Sequence, residues 1–142
     1  MNKPSFLGAE SSSSHDDLAV GKRSLLLASQ ALEAAANTVG VDFLKATECL
    51  ASAAGKVVVT GVGKSAHIAA KIAATFNSTG TRAMFLHAGE ALHGDVGAVE
   101  AGDVVLCLSK SGSSDEVVGL LPTLRVRGCT LVAMTARADS PL

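Results

Sequence analysis

The 142-residue chain has no Trp and no Tyr, and its four Phe hold the aromatic share to 3%. That excludes the stacking platforms on which single-stranded nucleic acids are bound. Charge of neither sign is in excess, with 12 Lys plus Arg against 13 Asp plus Glu, so no basic field draws in a phosphate backbone. A nucleic-acid partner is set aside on both counts. Apolar stretches such as Val57–Val59 and Val104–Leu108 fall far short of the ~18 residues of a spanning helix. The N-terminal stretch has Lys3 as its only base, acids at Glu10, Asp16 and Asp17, and no apolar core of signal-peptide length. No membrane partner is expected, and the expected compartment is the cytoplasm. Cys49, Cys107 and Cys129 are an odd number at wide spacings, each in an apolar segment, and read as reduced core thiols rather than a disulfide frame.

What is present points to a folded core. Hydrophobic residues make up 48% of the chain, too many for a disordered polypeptide, and the length suits one domain. Residues 1–17, with four consecutive Ser, read as a disordered tail, and residues 18–142 as the domain. Leu18, Leu25, Leu26, Ala28, Leu32 and Ala35 lie at helical spacings, with Gly21 placing the helix start near Lys22. A second helix is expected from Asp42 to Gly55. The rhythm then changes to short β-branched runs alternating with helices. Strands are expected at 57–60, 83–86, 104–108 and 130–134, and helices at 65–77 and 115–127, with Pro122 kinking the latter. A loop with a short helix fills 87–100. Continuous apolar strands between helices indicate an α/β, doubly wound parallel sheet covered on both faces, preceded by two N-terminal helices. Asp139-Ser140-Pro141 resembles a helix cap with Pro at the first helical position, so a further helix is announced where the chain stops. The last strand should then lack cover, which a partner subunit or the rest of a longer chain would supply, the latter being preferred. That uncovered strand and the two apolar helices lead to an expected homo-oligomer, a dimer or tetramer.

In an open parallel sheet, ligands sit at the carboxyl ends of the strands. Two loops there are rich in small hydrogen-bonding residues: Gly61-Val62-Gly63-Lys64-Ser65 and Ser109-Lys110-Ser111-Gly112-Ser113-Ser114. Each leads from a strand into a helix, where backbone N–H groups and hydroxyls can hold a phosphate group, with Lys64 and Lys110 adding positive charge. A nucleotide P-loop would need Gly where Val58 stands, and a dinucleotide fold expects an acid where His87 stands. No cofactor is therefore expected. One Ser could simply cap a helix, but four Ser and a Gly in six residues exceed what a cap needs. The third cluster runs His87-Ala88-Gly89-Glu90-Ala91-Leu92-His93-Gly94-Asp95, and on a helix His87, Glu90 and His93 would share one side. That spacing is no established zinc signature, no Cys lies near, and no metal is expected; His and Glu in a cleft serve equally well for proton transfer.

These loops, with Ala74-Thr75-Phe76-Asn77-Ser78-Thr79-Gly80-Thr81 between them, stand in an order and spacing that resembles the D-arabinose 5-phosphate isomerase branch of the sugar isomerase (SIS) domain family. The likeness runs from about Leu18 to Leu142. It implies a flavodoxin-like sheet of five parallel strands and an aldose–ketose isomerase interconverting D-ribulose 5-phosphate and D-arabinose 5-phosphate, feeding synthesis of 3-deoxy-D-manno-octulosonate. It also implies a phosphate grip at Ser109, Ser111 and Ser114, and catalytic positions at Lys64, His93 and Glu116. Two departures stand out. Members often carry Glu where Ser113 stands, and they continue through a fifth strand, further helices and often a tandem CBS pair, with a second catalytic Glu and a His beyond Leu142. Isomerisation through an enediol needs a remote handle, a polariser for the carbonyl oxygen and a base. The expected sugar-phosphate site therefore has Gly61, Gly63, Ser65, Ser109, Ser111, Gly112, Ser113 and Ser114 on the substrate, Lys64 on the oxyanion, Glu116 or Glu90 as base, and His93 moving protons or opening the sugar ring. A non-catalytic sugar-phosphate-binding module or inactive fragment is the alternative.

Overall fold

The computed structural model describes residues 13–142, which divide into two compact units, one ending at Val41 and the other running Asp42–Leu142. Of the expected tail, residues 1–12 lie outside the described residues, and residues 13–17 open a helix, α1, Ser13–Ala36. That helix starts well before Lys22. A Gly inside a helix costs only about 1 kcal/mol relative to Ala, too little for Gly21 to end it. Along α1, Leu25 and Leu32 are exposed.

Helix α2 spans Val41–Ala51 and stops short of Gly55, with the Ser52 hydroxyl turned back onto the Glu48 carbonyl. Then follow β1 (Val57–Gly61), α3 (Lys64–Ser78), β2 (Ala83–His87) and α4 (Ala88–Leu92). A 3-10 turn at Asp95–Ala98, β3 (Val104–Leu108), α5 (Asp115–Val126) and β4 (Thr130–Met134) complete the order. The four strands form one parallel sheet in the order β2-β1-β3-β4. Pro122 lies inside α5 and deprives the Val118 carbonyl of its helical donor.

The pleat sorts the core. On β1 and β3, Val58, Val105 and Cys107 face a cluster completed by Ala88 and Ala91 of α4 and Val117, Leu120, Leu121 and Leu124 of α5. Val57, Val59, Leu106 and Leu108 face the other side, against Ala69 and Ala73 of α3. Both central strands are buried throughout, which is why they read as unbroken apolar runs. Strand β4 takes one sheet edge, and Met134 at its end is half exposed. Residues 139–142 form no helix and pack as a turn, with Ser140 Oγ donating to the Arg137 carbonyl at 2.7 Å.

At the amino ends of β1 and β3 a clamp ties the two strands. Asp103 is 2% exposed and accepts from Lys56 Nζ at 2.8 Å, Lys56 N at 2.9 Å and Glu100 N at 2.8 Å. Burial works to raise its carboxyl; the bonds from Lys56, the backbone N–H groups and the Lys56 charge outweigh it and hold the carboxyl below the ordinary 3.8. Of the three thiols, all free, only Cys107 is fully buried, and burial pushes it up to about 12, so it stays protonated at neutral pH. Cys49 and Cys129 are partly buried.

Candidate active site

Strand order fixes where a ligand can enter. From β1 the chain crosses through α3 to β2 on one side; from β3 it crosses through α5 to β4 on the other. The two helices cover opposite faces, so the loops after β1 and β3 part company above the sheet and leave a crevice at the switch point. Register brings three loops to this end, since Gly61 pairs with Leu108 on one side and with His87 on the other.

The loop after β3 is a connected set of hydroxyls. Ser109, 2% exposed, has its Oγ 2.9 Å from Ser114 Oγ and accepts the Gly112 N–H at 3.1 Å. Ser111 Oγ accepts both the Ser113 N–H at 3.3 Å and the Ser113 hydroxyl at 3.1 Å, which leaves its own proton free to donate outward. Ser114 occupies the N-cap position of α5, yet its side chain makes no cap bond and turns to Ser109 instead. The first N–H groups of α5 are thus left without a side-chain acceptor, as a helix end that receives an anion requires. Gly112 sits at φ 66°, the left-handed turn that lets these hydroxyls gather.

The loop after β1 is built differently. Gly61 is needed for space: a Cβ there would stand 3.1–3.2 Å from Ser65 and from the Leu108 carbonyl. Gly63 caps α3 at φ 57° with no side-chain bond, and Lys64 is the exposed first residue of the helix. Ser65 is partly buried in its first turn.

Of the four expected catalytic residues, Glu116 lies in the first turn of α5, half-buried and directly after the serine loop. Glu90 and His93 belong to the exposed surface of α4 and its end. With His87, Gly94 and Asp95, Glu90 lines an open concavity of about 540 Å³ beside β2 that includes no residue of the serine loop. His87 is the N-cap of α4, its Nδ1 accepting the Gly89 N–H at 3.2 Å, and His93 closes the same short helix without lining that concavity. Among the described residues, no three His, Cys, Asp or Glu side chains could share a metal ion. None of the side chains of Lys64, Glu90, His93 and Glu116 is tied in a hydrogen bond or ion pair to a described residue.

One polar group near the crevice escapes residue-type reasoning. Thr60, fully buried on β1 just before Gly61, carries a hydroxyl with no partner among the described residues. A β-branched residue in a Val run reads as a strand former, and nothing in its spacing signals an orphaned hydroxyl.

A parallel sheet of this order with a hydroxyl-lined loop at its switch point defines a doubly wound α/β domain. The SIS domain model matches residues 50–142, and the chain belongs to the SIS domain family. Among curated relatives, it is 48% identical over 121 residues to arabinose 5-phosphate isomerase KdsD of Pseudomonas aeruginosa, covering 85% of this chain and 37% of that protein. It is 45% identical over 125 residues to arabinose 5-phosphate isomerase GutQ of Escherichia coli K12, covering 88% of this chain and 39% of that one. The chain thus spans less than two fifths of the length of these relatives. Among solved structures, Escherichia coli CFT073 c3406 in complex with arabinose 5-phosphate superposes with a TM-score of 0.86 at 39% identity, covering 89% of this chain and 68% of that one. The Vibrio vulnificus NanR protein, complexed with ManNAc-6P, shares the fold at a TM-score of 0.76 and 22% identity, covering 87% of this chain and 47% of that one.

Proposed function

We propose that the chain carries the phosphate-gripping and oxyanion-stabilising part of an arabinose 5-phosphate isomerase, interconverting D-ribulose 5-phosphate and D-arabinose 5-phosphate. The observation that carries this reading is the serine loop, with its free Ser111 proton and uncapped α5 N-terminus at the switch point. The isomerase names of KdsD and GutQ, and the arabinose 5-phosphate complex of c3406, supply the substrate class.

Ser109, Ser111, Gly112, Ser113 and Ser114 hold the phosphate, whose binding energy orients the reacting carbons. Gly61, Gly63 and Ser65 shape the facing wall. Lys64, exposed and unpaired to any described side chain, places its ammonium on the oxyanion that develops at the carbonyl oxygen. Glu116 takes a proton from one carbon and returns it to its neighbour, so that the enediol forms and collapses without net change in protons. Between the two carboxylates considered for this role, Glu116 adjoins the grip, whereas Glu90 lines the concavity beside β2. His93 moves protons between the sugar oxygens. Substrate binding needs no cofactor in this scheme. The exposed apolar side chains of Phe43, Leu44 and Met134 fit a homo-oligomer, and the free thiols fit a reducing, cytoplasmic compartment.

Phosphorus NMR of the chain with D-ribulose 5-phosphate tests the reading. A growing arabinose 5-phosphate resonance, lost in Lys64→Ala and in Glu116→Gln, is the expected result. Line broadening without conversion would leave a binding module, and an unchanged spectrum would contradict both.

A further inference from the structure

The serine loop is held from outside by the segment that follows β4. Ala136 N donates to the Lys110 carbonyl at 3.1 Å and Leu142 N to the Gly112 carbonyl at 3.0 Å, bracketing the loop. Thr135 Oγ1 adds a longer bond to the Lys110 carbonyl at 3.4 Å. Leu142 packs its side chain against the cluster that includes Val117 and Leu121 of α5. Between these anchors, Ser140 lies directly over Gly112. A Cβ added to Gly112 would collide with Ser140 Oγ and Cβ, and would stand 2.9 Å from Thr135 Oγ1. Gly112 is therefore constrained twice, by its left-handed φ and by a wall. Gly63, the matching glycine of the other loop, has an open φ-positive turn with nothing within 4 Å of an added Cβ.

We propose that Ser140 is a positioning residue for the phosphate grip, its side chain forming the wall that keeps Gly112, and with it the hydroxyls of Ser109 and Ser111, in the anion-receiving arrangement. This rests on reading the serine loop as the phosphate site. Ser140 does not act as a ligand, since its hydroxyl is spent on the Arg137 carbonyl at 2.7 Å. It acts through the Gly112 N–H, which bonds to Ser109 Oγ and the Ser109 carbonyl, both at 3.1 Å, and is lost to solvent if the turn opens. Removing the wall lets residues 110–113 sample other turns, and the phosphate must then bear the cost of selecting the competent one.

Amide hydrogen exchange and inorganic phosphate titration on the full chain test this, using Ser140→Gly, which removes the wall, and Ser140→Ala, which keeps its Cβ. In Ser140→Gly, exchange at Gly112 should accelerate about tenfold while β1 and β3 amides keep their protection. Phosphate should then bind about five- to tenfold more weakly, with Ser140→Ala within about twofold of the parent. Should Ser140→Gly lose its fold, Ser140→Val provides the converse test. Its bulk against Gly112 should weaken phosphate binding about tenfold, with strand protection intact. Unaltered Gly112 exchange and phosphate affinity in the Gly or Val variant, or equal damage in Ala and Gly, would overturn the wall. Absence of phosphate binding by the parent would instead overturn the site reading, and the exchange arm would still decide on the wall.

Discussion

Two strand-to-helix turns, one after β1 and one after β3, meet at the same switch point and are built in opposite ways. The turn at Ser109–Ser114 is closed: its hydroxyls bond to one another, its glycine is boxed, and residues 135–142 brace it from behind. The turn at Gly61–Ser65 is open: its second glycine has free space around it, and Lys64 is exposed to solvent. A phosphate is the same before and after isomerisation, so its site gains from being preformed. On the proposed reading, the groups that meet the reacting carbons must accommodate charge that develops only in the transition state, and the open turn leaves Lys64 free to be drawn in.

The sharpest way to break this comparison is to place one methyl on each turn. Gly112→Ala must adopt the left-handed turn, at about 1–2 kcal/mol, and also force a methyl into Ser140, at about 1–3 kcal/mol more. Gly63→Ala carries only the first cost, about 1–2 kcal/mol. Urea unfolding of the two variants should show the Gly112 variant losing clearly more stability, and equal losses would erase the distinction.

The opposite end of the same strands offers the next test. Asp103→Ala leaves Lys56 without its carboxylate and two backbone N–H groups without an acceptor, which should cost about 3 kcal/mol of unfolding free energy with phosphate affinity unchanged. The parent carries a pH signature of the same clamp. Because the folded Asp103 carboxyl lies below its ordinary 3.8, its stabilisation is present above that value and is lost as pH falls through the folded value. Stability followed from pH 6 into strong acid should therefore fall less steeply in Asp103→Asn than in the parent.

Ser109→Ala, at the base of the closed turn, strips the Gly112 N–H and Ser114 of a buried partner and should cost about 1–3 kcal/mol. The smallest effect is expected at Thr60. Thr60→Val removes an orphaned buried hydroxyl at nearly constant shape, so stability should hold or rise by about 1 kcal/mol. A larger loss in thermal denaturation would mean that the hydroxyl has a partner in solution.

Much of this contrast is legible in the residues themselves. The fully buried strands β1 and β3 announce themselves as Val and Leu runs, and the loops at their ends follow from the parallel topology those runs impose. The crowding of Ser around Gly112 likewise marks the closed turn, although Ser114 reads as a cap and in fact turns to Ser109. The start of α1 was not legible, since Gly21 punctuates a sequence more strongly than it breaks a helix. Nor was the wall over Gly112. Ser140 looks like the start of a helix, Asp139-Ser140-Pro141, and only the fold brings it 28 positions back onto the serine loop.

The central claim is that the closed turn is the phosphate grip. Amide chemical shifts followed during a titration with inorganic phosphate test it most directly. The account predicts saturable shifts centred on residues 109–117, abolished in Ser111→Ala while the fold is retained. Shifts centred on Gly61–Ser65 with residues 109–117 silent, or a Ser111→Ala variant that binds like the parent, would contradict it.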